Sequence, residues 1–211
     1  MNKLYAYRGW ILGGLAVALL LMPGAPLANE WCGEALPLSI AIFIVFVLLR
    51  ILARRTIGEH TRGFTHDADR LVTEGLYSRI RHPLYLSNAG IGYALIILHL
   101  GFSLMALPFV VILFSFEFLL SRMEDRYLEN RFGDEWRKWA MVTPAFFPRL
   151  ALGNMTAGRL HPEMENGKPA ERSFLSAARG DVSTWFWLAV AIALIVLRKT
   201  VLNFNFLELV G

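Results

Sequence analysis

Apolar residues fall into five blocks along the chain, at roughly 9–28, 36–53, 84–100, 102–120 and 182–202. An α-helix rises ~1.5 Å per residue, so about 20 apolar residues cross the ~30 Å hydrocarbon core of a bilayer. The pattern predicts about five transmembrane helices with little outside the membrane. The third and fourth blocks meet through Leu100-Gly101-Phe102, which predicts a tight helical hairpin. Pro83 stands at the head of the third block, and proline suits the first turn of a helix, where its missing N–H costs nothing. His82 then sits at the helix entrance, beside backbone N–H groups and the positive end of the helix dipole. Arg81 adds a fixed positive charge. Such a corner at a membrane edge suits an anion, and bare spans have little use for one. The fourth block meets no helix breaker before Gly133, so its helix runs on out of the bilayer.

Composition agrees: 55% of the 211 residues are hydrophobic and the mean hydropathy is +0.46. Charge placement orients the spans. Lys3 and Arg8 precede the first block, Glu30 and Glu34 follow it, and Arg54, Arg55, Arg62, Arg70, Arg79 and Arg81 crowd the connection between the second and third. More Lys and Arg residues lie between Arg122 and Arg179. The positive-inside rule puts the N-terminus and both basic segments in the cytoplasm, and a bacterial inner membrane is the expected location. Five spans would place the C-terminus outside, with Arg198 and Lys199 on the side that rule disfavours. The net charge of +4 gathers at membrane edges, where anionic lipid accounts for it without nucleic acid. Met1 to Glu30 has the outline of a signal peptide and reads as an uncleaved first span. Cys32, the sole cysteine, forms no internal disulfide. His66 and Asp67 lack a second His or Cys at ligand spacing, so no metal is expected. Walker-type loops, GxGxxG, His-Glu-x-x-His and internal repeats are absent from the sequence.

Helical spacing puts Glu117, Ser121, Glu124 and Leu128 on one face of the fourth helix. Pairing at i+3 joins Arg122 to Asp125 and Arg126 to Glu129 on its exposed side. Glu117 lies within Phe-Glu-Phe-Leu-Leu, where an acid costs roughly 2.5–3.5 kcal/mol at mid-helix and less near the interface. It reads either as a site residue or as the partner of a loop arginine. Beyond Gly133, the run Glu135-Trp136-Arg-Lys-Trp139 suits a helix lying in the interface. Trp139 reads as its anchor and Trp136 as a wall for a cofactor pocket. Pro144 and Pro148 then bend the chain back. His99 reads as an ordinary interfacial histidine, Asn88 as a helix contact or pocket lining, and Gly90 and Gly92 as sites of close helix packing. The polar stretch from Gly153 to Asp181 reads as a linker, and Trp185, Phe186 and Trp187 as the anchor of the last span.

The two polar segments together resemble the superfamily of isoprenylcysteine carboxyl methyltransferases and phospholipid methyltransferases. The match runs Gly75-x-Tyr77-x-x-x-Arg81-His82-Pro83-x-Tyr85, then Glu124-Asp125-x-x-Leu128-x-x-x-Phe132-Gly133-x-Glu135-Trp136-x-x-Trp139-x-x-x-x-Pro144-x-x-x-Pro148. The resemblance covers about residues 50 to 150. It implies that S-adenosylmethionine is held between the two segments on the cytoplasmic side. His82, Pro83 and Tyr85 then match the family's His-Pro-x-Tyr cofactor turn, with Arg81 as its arginine. Glu124 matches the first acid of a Glu-Glu pair that contacts the cofactor, and Asp125 replaces the second.

The residues suit that cofactor. Its carboxylate fits Arg81 and the helix entrance, and its ammonium and ribose hydroxyls fit Glu124. Tyr85 follows His82 by one helical step and can cover the adenosine. A protonated acceptor needs a base, for which Glu117 or His82 is placed. Isoprenylcysteine enzymes resemble one another in an arginine four residues before the first acid; here that position is Leu120, and Arg122 is the nearest arginine. Glu117, Arg81 and Arg122 are therefore the catalytic candidates, and Arg81, His82, Pro83, Tyr85, Glu124, Asp125 and Trp136 the cofactor-binding ones.

The expected protein is an all-α integral membrane enzyme with a cofactor pocket at its cytoplasmic face. It moves a methyl group to a lipidic or small apolar acceptor that arrives from the bilayer. Three parts are expected: residues 1–53 with two spans, 54–150 as the methyltransferase core, and 151–211 as a polar linker with a last span. The alternatives are a sterol-reductase-like enzyme using NADPH and a non-catalytic membrane partner.

Overall fold

The computed structural model describes residues 7–24, 30–57, 70–147 and 172–202. Cys32's side chain, His60, His66, Asp67, Asp69, Pro148 and most of the expected linker lie outside the described residues. In chain order the elements are α1 (Arg8–Leu21), α2 (Glu30–Ile57), a 3-10 turn (Gly75–Ser78), α3 (Pro83–Leu100), α4 (Ala106–Phe132), α5 (Asp134–Val142), α6 (Phe174–Arg179) and α7 (Val182–Leu197). A π turn (Arg198–Leu202) continues α7. Among the described residues, four helices are long and apolar enough to cross a membrane: Glu34–Ile57, Pro83–Leu100, Ala106–Phe132 and Val182–Thr200. The all-α membrane architecture expected from the sequence is what forms.

The first block departs from its expected length. Helix α1 holds 14 residues, a rise of about 21 Å, which is short of the ~30 Å core. It stops where Met22 turns extended ahead of Pro23, since the residue before a proline is pushed out of the helical region. Two glycines shape the other joints. Gly101, at φ +62°, makes the hairpin between α3 and α4, and Gly133, at φ +56°, ends α4 where the sequence has its first breaker.

The described chain forms two compact units, one of residues 1–47, 88–117 and 181–211, the other of 48–87 and 118–180. In the first, Leu19, Ile96, Leu100, Ala106, Phe109 and Leu113 form the core. Gly90 and Gly92 serve close packing as expected: a Cβ at Gly90 would collide with the Phe46 ring, and one at Gly92 would lie 2.6 Å from Leu113 Cδ2. His99 corrects its expectation. It is fully buried, and its Nε2 bonds the Met22 carbonyl at 3.1 Å, holding the turn after α1. Helix α7 touches α1 and turns Phe186 and Trp187 outward, the apolar exterior a lipid-facing helix requires.

The second unit is built on Ala53, Leu71, Tyr77 and Trp139, with Ile57, Leu84, Leu128, Phe132 and Trp136 packed against them. Trp139 is thus core and not an interfacial anchor: it is 4% exposed, and its indole N–H donates to the Tyr77 carbonyl at 3.1 Å. The turn at Gly133 is what aims α5 inward. Gly75, at φ +56°, lets the 3-10 turn close on α2, where a Cβ would meet Thr56 Oγ1 at 2.7 Å.

Candidate active site

The site candidates of the second unit converge where the end of the 75–82 segment meets α4. The chain leading into α3 is held from its backbone. Arg81 N–H donates to the Pro144 carbonyl at 2.9 Å and His82 N–H to the Ala145 carbonyl at 3.0 Å. These two N–H groups therefore serve the fold and are not anion donors. Pro83 follows as the first helical residue, and Leu86 N–H closes the first turn on the His82 carbonyl at 3.0 Å. The bend after α5 thus sets the position and direction of Arg81 and His82.

Side-chain chemistry completes the placement. His82 Nε2 lies 2.9 Å from Asp125 Oδ1, and both groups are buried. An ionised carboxylate only accepts, so Nε2 carries the proton and donates it. Nδ1 of the same ring is 3.8 Å from Glu124 Oε2, and Arg81 Nη1 is 3.7 Å from Asp125 Oδ1. Asp125 is therefore the buried anchor of this cluster, with a side chain 6% exposed, while that of Glu124 is 31% exposed. The more open acid is the one able to meet a ligand.

Aromatic rings wall the cluster. Tyr85 meets the His82 ring edge-on at 5.7 Å, Phe146 lies 5.8 Å from it, and Phe118 lies 6.2 Å from Phe146. The Arg81 guanidinium carbon sits 5.6 Å above the Trp136 ring, within cation–π range. Arg81 Nε and Trp136 Nε1 are both buried N–H donors that bond no acceptor among the described residues. Buried polar groups normally have partners, so two adjacent unsatisfied donors mark a place for an acceptor oxygen.

Arg81, His82, Pro83, Tyr85, Glu124, Asp125 and Trp136, all nominated from sequence, thus belong to one unit and mostly to one contact network. The two remaining nominees are placed differently. Glu117 is buried in the first unit, where the Asn88 amide donates to its Oε2 at 3.5 Å, and Arg122 is exposed on α4. The expected i+3 pairs are also replaced. Asp125 turns to His82 and Arg81, and Glu129 takes Arg137 at 2.9 Å because the Gly133 turn folds α5 back toward it. Arg137 also bonds Asp134 at 3.0 Å, and these carboxylates hold its guanidinium pKa above the usual value. Phe146 and the 144–145 carbonyls were missed from sequence. The Pro-Ala-Phe-Phe run after α5 was their one visible signal.

Residues 35–135 match the family described as phospholipid methyltransferase. The chain is also similar to the cobalt-zinc-cadmium resistance protein CzcN of Cupriavidus metallidurans, 36% identical over 130 residues, which is 59% of this chain and 56% of that protein. It is similar too to the nickel-cobalt-cadmium resistance protein NccN of Alcaligenes xylosoxydans xylosoxydans, 41% identical over 92 residues, or 39% of this chain and 38% of that protein. The chain therefore spans little more than half the length of one curated relative and less of the other. No solved structure matches it.

Proposed function

We propose that the protein is an S-adenosylmethionine-dependent methyltransferase acting on a lipidic acceptor at the membrane face, a reading that the match of residues 35–135 to the phospholipid methyltransferase family supports. The observation that carries this reading is the pair of buried, unsatisfied donors, Arg81 Nε and Trp136 Nε1, beside the cluster that holds Glu124. A donor pair with a fixed positive charge fits a carboxylate, and the half-open Glu124 fits an ammonium or a ribose diol. The cofactor, when bound, supplies a methyl group on a cationic sulfur.

The chain's own work is then positional. Arg81 and Trp136 hold the carboxylate end, Glu124 accepts from the polar groups beyond it, and Tyr85 with His82 covers the base. Pro83 fixes the start of α3, and through it the register of Arg81 and His82. Asp125 keeps the His82 proton on Nε2, which leaves Nδ1 toward Glu124 and free to accept. We assign Glu117 and Arg122 to the acceptor step, with effects on turnover and not on cofactor affinity. The two relatives are named for metal resistance, and a methyl transfer serving such resistance is the setting we propose.

Calorimetric titration of S-adenosylmethionine into the detergent-purified chain tests the reading. Saturable binding is expected, weakened more than tenfold in Arg81→Ala and lost in Glu124→Ala, while Glu117→Gln binds as wild type and turns over slowly. Absence of binding by a folded chain would overturn it, and NADPH would be titrated next. For the setting, cells carrying Glu124→Ala should be less tolerant of cadmium than cells carrying the wild type.

A further inference from the structure

Tyr77 lies outside the donor site proposed above, yet its hydroxyl is the least explained group in the second unit. The residue is 6% exposed and packs in the core with Ala53, Leu71 and Trp139. Its carbonyl is satisfied by the Trp139 indole, but its phenolic oxygen is buried and bonds nothing among the described residues. A core that merely needed this ring would be served by phenylalanine, which leaves no hydroxyl to satisfy.

Two arginines share the face of α2 that packs on Tyr77. Arg50, Ala53, Arg54 and Ile57 recur at i, i+3, i+4 and i+7 on α2, which is one helix face. Ala53 is completely buried against the Tyr77 cluster and Ile57 packs on it, so this face is the one turned toward Tyr77. Arg50 is itself buried, at 8% exposure, near the end of a membrane helix. The phenol lies in the fields of Glu124, Arg54 and Arg50; burial and Glu124 push its pKa up, and the two arginines oppose them. A buried neutral phenol in the field of two arginines is a hydrogen-bond donor suited to an oxyanion.

We propose that the Tyr77 hydroxyl, with Arg50 and Arg54 on the facing side of α2, forms a seat for the phosphoryl or carboxylate oxyanion of the acceptor's head group. The inference rests on the methyltransferase reading for the word acceptor, and on the burial and register above for the seat itself. Glu124 acts on the same phenol through its charge, which links the seat to the acid assigned to the methyl donor. It gives the acceptor a charged anchor with its apolar chains left to the membrane. It selects an anionic head group over a neutral one of the same size.

The test uses the full chain in neutral detergent, titrated separately with dihexanoyl phosphatidic acid, inorganic phosphate and dihexanoyl glycerol. S-adenosylmethionine is titrated into the same samples. Phosphatidic acid should bind saturably and dihexanoyl glycerol should not. Tyr77→Phe, which keeps the ring and its packing, should weaken phosphatidic acid by about tenfold, the loss of a hydrogen bond to a charged group. Arg54→Gln should weaken it at least as much. S-adenosylmethionine affinity should stay unchanged in Tyr77→Phe. Inorganic phosphate binding as tightly as the lipid would support the seat and assign it to a soluble anion. Equal phosphatidic acid affinity in wild type and Tyr77→Phe would overturn the proposal. So would a matching loss of S-adenosylmethionine affinity, which would assign the phenol to the donor site. Loss of S-adenosylmethionine binding by the wild type would instead remove the methyltransferase reading and leave the oxyanion result standing on its own.

Discussion

Helix α4 carries two buried acids, Glu117 in the first unit and Asp125 in the second, and the two are held in different ways. Asp125 accepts a hydrogen bond from the His82 Nε2–H at 2.9 Å and faces Arg81 at 3.7 Å. Glu117 is met by a neutral amide, that of Asn88, at 3.5 Å. In the second unit a carboxylate is held by a donated hydrogen bond and a guanidinium charge, as a polar ligand site needs. In the first, a buried acid accepts a long hydrogen bond from a neutral amide. The same helix thus carries an acid paired with a guanidinium at one end and an acid bonded to an amide at the other.

Removing the anchor of the cluster should have the largest effect. Asp125→Ala leaves Arg81 and the His82 N–H facing an apolar gap, and breaking a buried pair typically costs ~3–5 kcal/mol. Thermal unfolding in detergent should show a large fall in Tm, and any folded fraction should bind S-adenosylmethionine at least tenfold more weakly. Glu117→Gln, which keeps the volume and can still bond Asn88, should change Tm little. Equal losses in the two variants would erase the distinction between the two acids.

The next effect belongs to the first unit. Gly90→Ala drives a methyl into the Phe46 ring, and overpacking of that kind costs ~1–3 kcal/mol. Its signature should be lower stability with unchanged cofactor affinity. An affinity loss as large as that of Arg81→Ala would mean that the site depends on helix packing within the first unit. Trp136→Phe should act in the opposite sense. It keeps the ring below Arg81 and removes one buried donor, so Tm should hold while S-adenosylmethionine affinity falls by roughly three- to tenfold.

The contrast between Trp136 and Trp139 also marks how far the sequence could be read. Arg81-His82-Pro83-x-Tyr85 and Glu124-Asp125 stood out because their order and spacing resemble the two polar segments of a known family. The α4–α5 break was visible because Gly133 is the first breaker in a long helical run. The roles of the two tryptophans were not, because both stand beside Arg and Lys on a short amphipathic helix. What sends Trp139 into the core is the backbone direction after Gly133, at φ +56°, which sequence periodicity does not encode. The same turn brings Arg137 to Glu129 in place of Arg126, and the 144–145 carbonyls to Arg81 and His82. Local spacing predicts partners within one helix, and here the decisive partners come from the next one. The first block misled for a related reason: hydrophobicity runs on past Leu21, but Pro23 stops the helix.

The smallest expected effect separates burial from charge in the second unit. Burial raises the Tyr77 phenol, Glu124 raises it further, and Arg54 and Arg50 pull it down, with burial dominant. An unfolded phenol ionises near pH ~10, so above that value the unfolded chain gains charge that the folded Tyr77 does not. Its contribution to stability is therefore complete below about pH 10 and is lost as pH rises beyond it. Tyr77→Phe removes the titrating group, so urea unfolding at several alkaline pH values should give a shallower decline for the variant than for the wild type, with parallel curves below pH ~9. Identical alkaline slopes would mean that the two arginines and solvent keep the phenol as easily ionised when folded as when unfolded. In that case the cationic side of the seat would outweigh its burial, and the hydroxyl would meet its ligand as an open group and not as a buried donor.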